Sequence, residues 1–219
     1  MGDEIPRLRM FAGPNGSGKT TIKQGLGKAP TWFGRYINPD DIEAEIQGLG
    51  TLDLAPFGVA FTTDEVRQHF AGSQLLRDEG LDTGAQVVEC RDGQIDFRGL
   101  TFNSYYASVL ADLLRRRLLQ ERQSFSFETV MSAPDKIELL REAQAAGFRT
   151  YLYYVATEDP RSTCSAFRTV SPMADIRFRK RRFVRGMADQ SCFCPRRFVM
   201  RIGPFSLTPV TSSPGSLLR

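Results

Sequence analysis

"FAGPNGSGKTTI", residues 11–22, decides the fold. Within it Gly13 to Thr20 reads GPNGSGKT, a full match to G-x-x-x-x-G-K-[ST]. A loop that wraps a phosphate chain closely has no room for side chains, and Gly13, Gly16 and Gly18 remove them. Successive backbone N–H groups then point inward as an anion nest. A helix expected from Thr20 to Leu26, stopped at Gly27, adds its positive N-terminal end. Lys19 reaches the β- and γ-phosphates as a movable point charge, and Thr20 offers a hydroxyl to Mg²⁺. The candidate ATP-binding residues are thus Gly13, Pro14, Asn15, Gly16, Ser17, Gly18, Lys19, Thr20 and Thr21. Upstream, "RLRMFA" (7–12) predicts a first strand over Leu8 to Ala12. A strand before and a helix after separate a phosphate loop from a chance glycine-rich turn.

Outward from the loop, strands and helices alternate. "RYI" (35–37) predicts a second strand, and "NPDD" after it is turn chemistry leading into a helix with an acidic first turn. Residues 104–119 carry Val109, Leu110, Leu113, Leu114 and Leu118 at helical spacing. "SFSFE" (124–128) and "RTYLYYVA" (149–156) read as strands, with a helix from Ala133 to Ala146 between them, stopped by Gly147. This order predicts an α/β fold: a P-loop NTPase with a mostly parallel sheet and helices on both faces. Residues 50–103 break the rhythm and are expected to be an insertion. One helical piece is expected there from Thr63 to Asp78, and Asp92-Gly93 predicts a hairpin.

Two carboxylates are candidates for chemistry. Asp40 follows the second strand, where the carboxyl edge of a doubly wound sheet lies beside bound phosphates. It could accept a proton from a substrate hydroxyl as a catalytic base. Equally, Asp40 or Asp41 could only cap the next helix. Glu128 ends the apolar strand "SFSF" at the same edge, where it could orient substrate or hold a metal-bound water. Equally, it could be a strand-end charge in water. No apolar run ends in an Asp that would make an obvious Walker B site.

Composition sets the class. The 219 residues suffice for one ordinary α/β domain, and 41% apolar content suits a globular protein. No apolar run nears the roughly 18 residues of a membrane span. The first ten residues, MGDEIPRLRM, have no apolar core of a secretory signal. Four cysteines without early clustering argue against a disulfide scaffold. The expected location is cytoplasmic, with no membrane partner.

Taken together, "FAGPNGSGKTTI", "YINPDDIEAEI", "NSYYASVLADLLRRRLL", "SFSFETVMS", "KIELLREAQAAGF" and "TYLYYVATEDP" resemble the zeta-toxin-like P-loop kinases, in order from about residue 8 to Pro160. The resemblance implies ATP- and Mg²⁺-dependent phosphorylation of a hydroxyl, on UDP-N-acetylglucosamine in toxin members. It implies a nucleotide loop at Gly13 to Thr20, a catalytic base at Asp40 and a substrate-side acid at Glu128. Relatives often carry Thr two residues after that Glu; this chain has Val130, which leaves the small-molecule acceptor open. An antitoxin, for a toxin member, would come from a neighbouring gene.

After Pro160 the pattern stops. Residues 161–219 hold 12 Lys+Arg against 2 Asp+Glu, a net of +10, which leaves −6 for residues 1–160 of a chain at +4. Cys164, Cys192 and Cys194 also lie there. A basic, nucleic-acid-binding extension is one reading, although its Phe and Arg residues follow neither helical nor strand period. A P-loop hydrolase without a second substrate is another alternative for the whole chain. A third reading is a shifted reading frame. Taking the third base of each codon with the first two of the next, Pro172 to Arg177 can become Asn-Gly-Gly-His-Pro. Arg201 to Thr208 can become Asp-Arg-Ala-Phe-Leu-Phe-Asp, a plausible last strand. GAC-CCG-GAG (Asp-Pro-Glu) less one G gives GAC-CCG-AGA (Asp-Pro-Arg). The tail is then an out-of-frame basic segment, expected to be irregular or disordered. It would lack the arginine lid with which such kinases continue and leave the sheet short of a strand. Sequencing the DNA across codon 160 tests this: an open second frame is expected, and early stop codons in it refute the idea.

Overall fold

A computed structural model of the chain describes residues 5–13, 19, 33–130, 135–156 and 198–202. Among these, a five-stranded sheet runs in the order β2-β6-β1-β7-β8. β1 (Arg7–Ala12), β2 (Arg35–Ile37), β6 (Phe125–Thr129) and β7 (Arg149–Ala156) are mutually parallel, and β8 (Phe198–Ile202) pairs antiparallel with β7. The expected α/β class with a mostly parallel sheet is therefore present. No helix among the described residues is long and apolar enough to cross a membrane.

The two faces of this sheet differ. Leu8, Met10 and Ala12 of β1 join Ile37, Phe125, Phe127 and Leu152 in the main core. That face packs against the long helix α4 (Ser104–Gln120), which supplies Leu110, Leu114 and Leu118. Arg115 of the same helix is 2% exposed and lays its guanidinium 5.0 Å from the Phe127 ring centroid. The opposite face carries Phe11, Phe33 and Tyr153, with Phe11 stacked on Tyr153 at 4.9 Å. Parallel strands covered on both faces usually read as continuous apolar runs. β1 and β6 alternate instead, because Arg9, Ser126 and Glu128 share the second face at period two.

Residues 51–103 build a second, antiparallel sheet in the order β3-β5-β4. Its strands are β3 (Thr51–Asp53), β4 (Glu89–Arg91) and β5 (Gln94–Asp96). The Asp92-Gly93 hairpin is present, with φ of 51° and 76°, as the two-residue turn favoured by strand twist requires. The single helix expected from Thr63 to Asp78 is instead two. α2 (Thr63–Ala71) starts with a capping box from Thr62 and Glu65, and α3 (Gln74–Asp78) has its own cap at Ser73. Gly72-Ser73 breaks the run because Ser73 accepts from the Leu76 N–H and so restarts the helix. Leu52, Leu54, Phe70 and Phe97 belong to the same core as α4, so this segment is packed into the domain.

α5 (Asp135–Ala145) ends before Gly147, whose φ is 82°. The expected helix over Thr20 to Leu26 lies outside the described residues. An open edge at β7 was expected if the tail contributes no strand. That needs correction: β8 covers β7, with Leu152 opposite Ile202 and Ala156 opposite Phe198.

Gly34 fixes where β2 lies. Its φ is 64°, and a Cβ there would meet the Ser124 carbonyl oxygen at 2.2 Å. Arg35 donates its N–H to that same carbonyl at 3.2 Å. Gly34→Ala should destabilise the fold by about 2–4 kcal/mol, from left-handed strain plus overpacking. Urea denaturation checks it, and a loss below about 0.5 kcal/mol, the scatter of ordinary surface changes, would contradict it.

Candidate functional site

β1 leads on to β2, beyond β6, whereas β6 leads on to β7, beyond β1. The two central neighbours thus send their connections in opposite directions across the sheet. In open α/β sheets the crevice for ligands opens at such a point, outside the carboxyl ends of the strands. Gly13 leaves β1 there, and Glu128 and Thr129 end β6 there. The register places Phe11 opposite Glu128 and Ala12 opposite Thr129. Gly13 extends the ladder one step further by donating its N–H to the Thr129 carbonyl at 3.2 Å.

Gly13 has φ of 151°, backbone that side-chain-bearing residues rarely adopt. Lys19 is 9% exposed, and its Nζ donates to the Gly13 carbonyl at 2.9 Å. The one candidate cation of the loop is thus folded back over the loop's first residue. A site with an ammonium group held beside glycine backbone at this edge suits an anionic group such as a phosphate. Pro14, Asn15, Gly16, Ser17, Gly18, Thr20 and Thr21 lie outside the described residues.

Asp40 is the second residue of α1 (Pro39–Leu49). The helix cap is neither Asp40 nor Asp41. It is Asn38, whose side-chain oxygen accepts the Asp40 N–H at 3.2 Å, with Pro39 at the first helical position. Asp40 and Asp41 are exposed in the first turn, where the helix dipole favours them. Residue 40 therefore sits at the carboxyl edge beyond β2 without the capping task that would explain it away.

Glu128 is not a solvent-facing strand end. It is 8% exposed, and Tyr36 donates its hydroxyl hydrogen bond to Glu128 Oε1. Tyr36 and Glu128 meet because Tyr36 pairs with Ser126 in the β2–β6 register, and residues two apart share a face. Burial first, then the hydrogen bond and charge of Glu128, then the charges of Asp41 and Asp40, push the Tyr36 pKa far above its usual 10.0. Three carboxylates thus act on one hydroxyl, which stays protonated and remains a donor. Among the described residues no three carboxylate, imidazole or thiol groups converge as a metal site. Tyr36 is the residue that sequence reasoning missed. The alternation of "RYI" around a core-facing Ile37 was the available signal, but the β2–β6 pairing that gives it meaning is not local.

A cleft of about 490 Å³ lies elsewhere, where α2, α4 and Lys136 of α5 approach one another. It holds none of the loop residues and neither Asp40 nor Glu128. Its charges are compensated within the helices, with Asp112 accepting from Arg116 at 2.7 Å and His69 3.6 Å away. Compared with protein families, curated proteins and solved structures, the chain matches none.

Tyr36 gives the site a pH signature. The folded chain holds this proton more tightly than the unfolded chain does, so the contribution is complete below about pH 10. It is lost as pH rises further, because the unfolded tyrosine ionises first. Between about pH 9 and about pH 11 the unaltered chain should lose stability more steeply than Tyr36→Phe. Denaturation midpoints across that range check it; parallel slopes would count against the assignment.

Proposed function

We propose that the chain is a P-loop kinase core that transfers the γ-phosphoryl group of ATP to a hydroxyl of a small molecule. The observation that carries the reading is the strand order β2-β6-β1. With Gly13 at the end of β1 and Lys19 bonded to it, Glu128 at the end of β6 and Asp40 beyond β2 follow along the same carboxyl edge, which supports the reading.

In this reading the loop from Gly13 to Thr21 binds the phosphate chain through backbone N–H groups, and Lys19 neutralises charge on the β- and γ-phosphates. Thr20 would hold Mg²⁺, which when bound neutralises charge on the phosphate oxygens. Asp40 accepts the proton of the substrate hydroxyl as its oxygen forms a bond to the γ-phosphorus and ADP departs. Exposure suits Asp40 to this task, since it leaves the side chain open to an arriving hydroxyl. Glu128 orients the acceptor from the buried side. The resemblance suggests a sugar nucleotide such as UDP-N-acetylglucosamine. Val130, 45% exposed two residues past Glu128, offers an apolar surface where relatives often have a hydroxyl. An out-of-frame tail would lack the lid arginines, and losing such an arginine slows transfer by roughly 10³–10⁵-fold.

Asp40→Asn tests the reading in both the unaltered and a frame-restored chain. Mg-ATP affinity should stay within about twofold, while transfer to UDP-N-acetylglucosamine falls by about 10²–10⁴-fold, the range of general base catalysis. Retained transfer would remove Asp40 as the base. ATP turnover indifferent to sugar nucleotides would point to a hydrolase.

A further inference from the structure

We propose that Tyr36 is a positioning residue for the phosphoryl acceptor, acting through Glu128; this rests on the kinase reading above. β2 is short, and Tyr36 is its central residue. Gly34 and Ile37 fix that strand against β6, the first by close approach to Ser124 and the second by burial in the main core. The Tyr36 ring must therefore leave the sheet on the face that also carries Glu128. Its hydroxyl donates to Glu128 Oε1, so it holds the carboxylate in one rotamer by a charge-assisted bond. Removing that bond takes away one restraint on the carboxylate, and a bound acceptor then meets a less preorganised group.

The position has a second consequence. Burial and the charges of Glu128, Asp41 and Asp40 all keep the hydroxyl protonated. Tyr36 is thus a permanent donor, and the Glu128 carboxylate it holds is an acceptor. A group presenting hydroxyl or amine donors fits such a surface, whereas an anion beside the three carboxylates is repelled. The acceptor class inferred is a neutral or cationic hydroxyl-bearing group at the reacting end, as a sugar ring is. Any diphosphate portion lies away from Tyr36.

The test uses the full chain with UDP-N-acetylglucosamine and labelled Mg-ATP, under single-turnover conditions that detect slow transfer. Tyr36→Phe should raise the acceptor concentration for half-maximal rate about tenfold, with Mg-ATP affinity unchanged and the limiting rate within about threefold. In a Glu128→Gln background the same substitution should add less than about twofold, because the group it acts through is gone. An unchanged acceptor dependence overturns the proposal. So does a loss that multiplies with Glu128→Gln, or one that also abolishes Mg-ATP binding, since either marks a structural role. If the unaltered chain transfers nothing to this acceptor, while Mg-ATP binds, the kinase reading with that acceptor fails, and this proposal fails with it. If Glu128→Gln lowers transfer and Tyr36→Phe does not, the kinase reading stands and only this proposal falls.

Discussion

The pairing of β1 with β6 is the constraint on which the rest depends. Five consecutive residues, Leu8 to Ala12, run in register with Phe125 to Thr129. The ladder then closes with Gly13 donating to Thr129. That last bond fixes the direction in which the chain leaves β1, and it does so beside Glu128. Slipping the register by one residue would turn Glu128 into the face that holds Phe125 and Phe127, and turn those rings out of the core. Core packing and site geometry are therefore set by the same pairing. Phe125 and Phe127 are fully buried, and each such side chain contributes about 1.5–3 kcal/mol relative to exposure. Glu128 is held in place by hydrophobic burial on the far side of the strand that bears it.

The same alternation explains how a parallel sheet accommodates so many polar groups. Arg9 is 2% exposed and lies 5.4 Å from the Tyr151 ring centroid. A buried guanidinium is costly unless its charge is met, and an aromatic face meets part of it. Tyr151, Tyr153 and Phe11 make this second face aromatic where the first is aliphatic and phenylalanine-rich. Aromatic side chains with polar tips suit a face that runs from the buried middle of the sheet to a wet carboxyl edge. Tyr36 lies on this face level with Ser126 and Arg9, and its hydroxyl reaches forward to Glu128.

Local signals made the elements legible, and pairings made the site. β1, β2, β6 and β7, the Asp92-Gly93 turn and the long helix α4 can each be read from periodicity and turn chemistry in their own residues. β3 could not: "TLD" (Thr51–Asp53) is a strand only because β5 lies beside it, with Leu52 opposite Ile95. The break at Gly72-Ser73 was hidden because the apolar period runs on through it, while Ser73 quietly caps a new helix. Asp40 and Glu128 could be placed at one edge from strand direction alone. Their different environments could not, because Glu128 is buried and accepts a hydrogen bond from Tyr36, 92 positions away in the chain. Likewise, Asn38 takes the capping role that left Asp40 ambiguous, and only the geometry of the turn separates a cap from its neighbours.

β8 bears on the tail in a way that separates order from design. An open β7 edge presents a row of unpaired N–H and C=O groups, which accept almost any extended segment rich in strand formers. "FVMRI" (Phe198–Ile202) is such a segment, and it pairs antiparallel in a sheet whose other four strands are parallel. Backbone pairing of this kind asks for extended residues and little side-chain information. The strand itself is undemanding, four apolar residues and Arg201. A catalytic lid asks for far more: particular arginines at particular offsets from the phosphate loop. Closing the sheet's edge therefore says nothing of a lid. The core described on both faces of the sheet and the β1–β6 crevice are built from residues before Pro160.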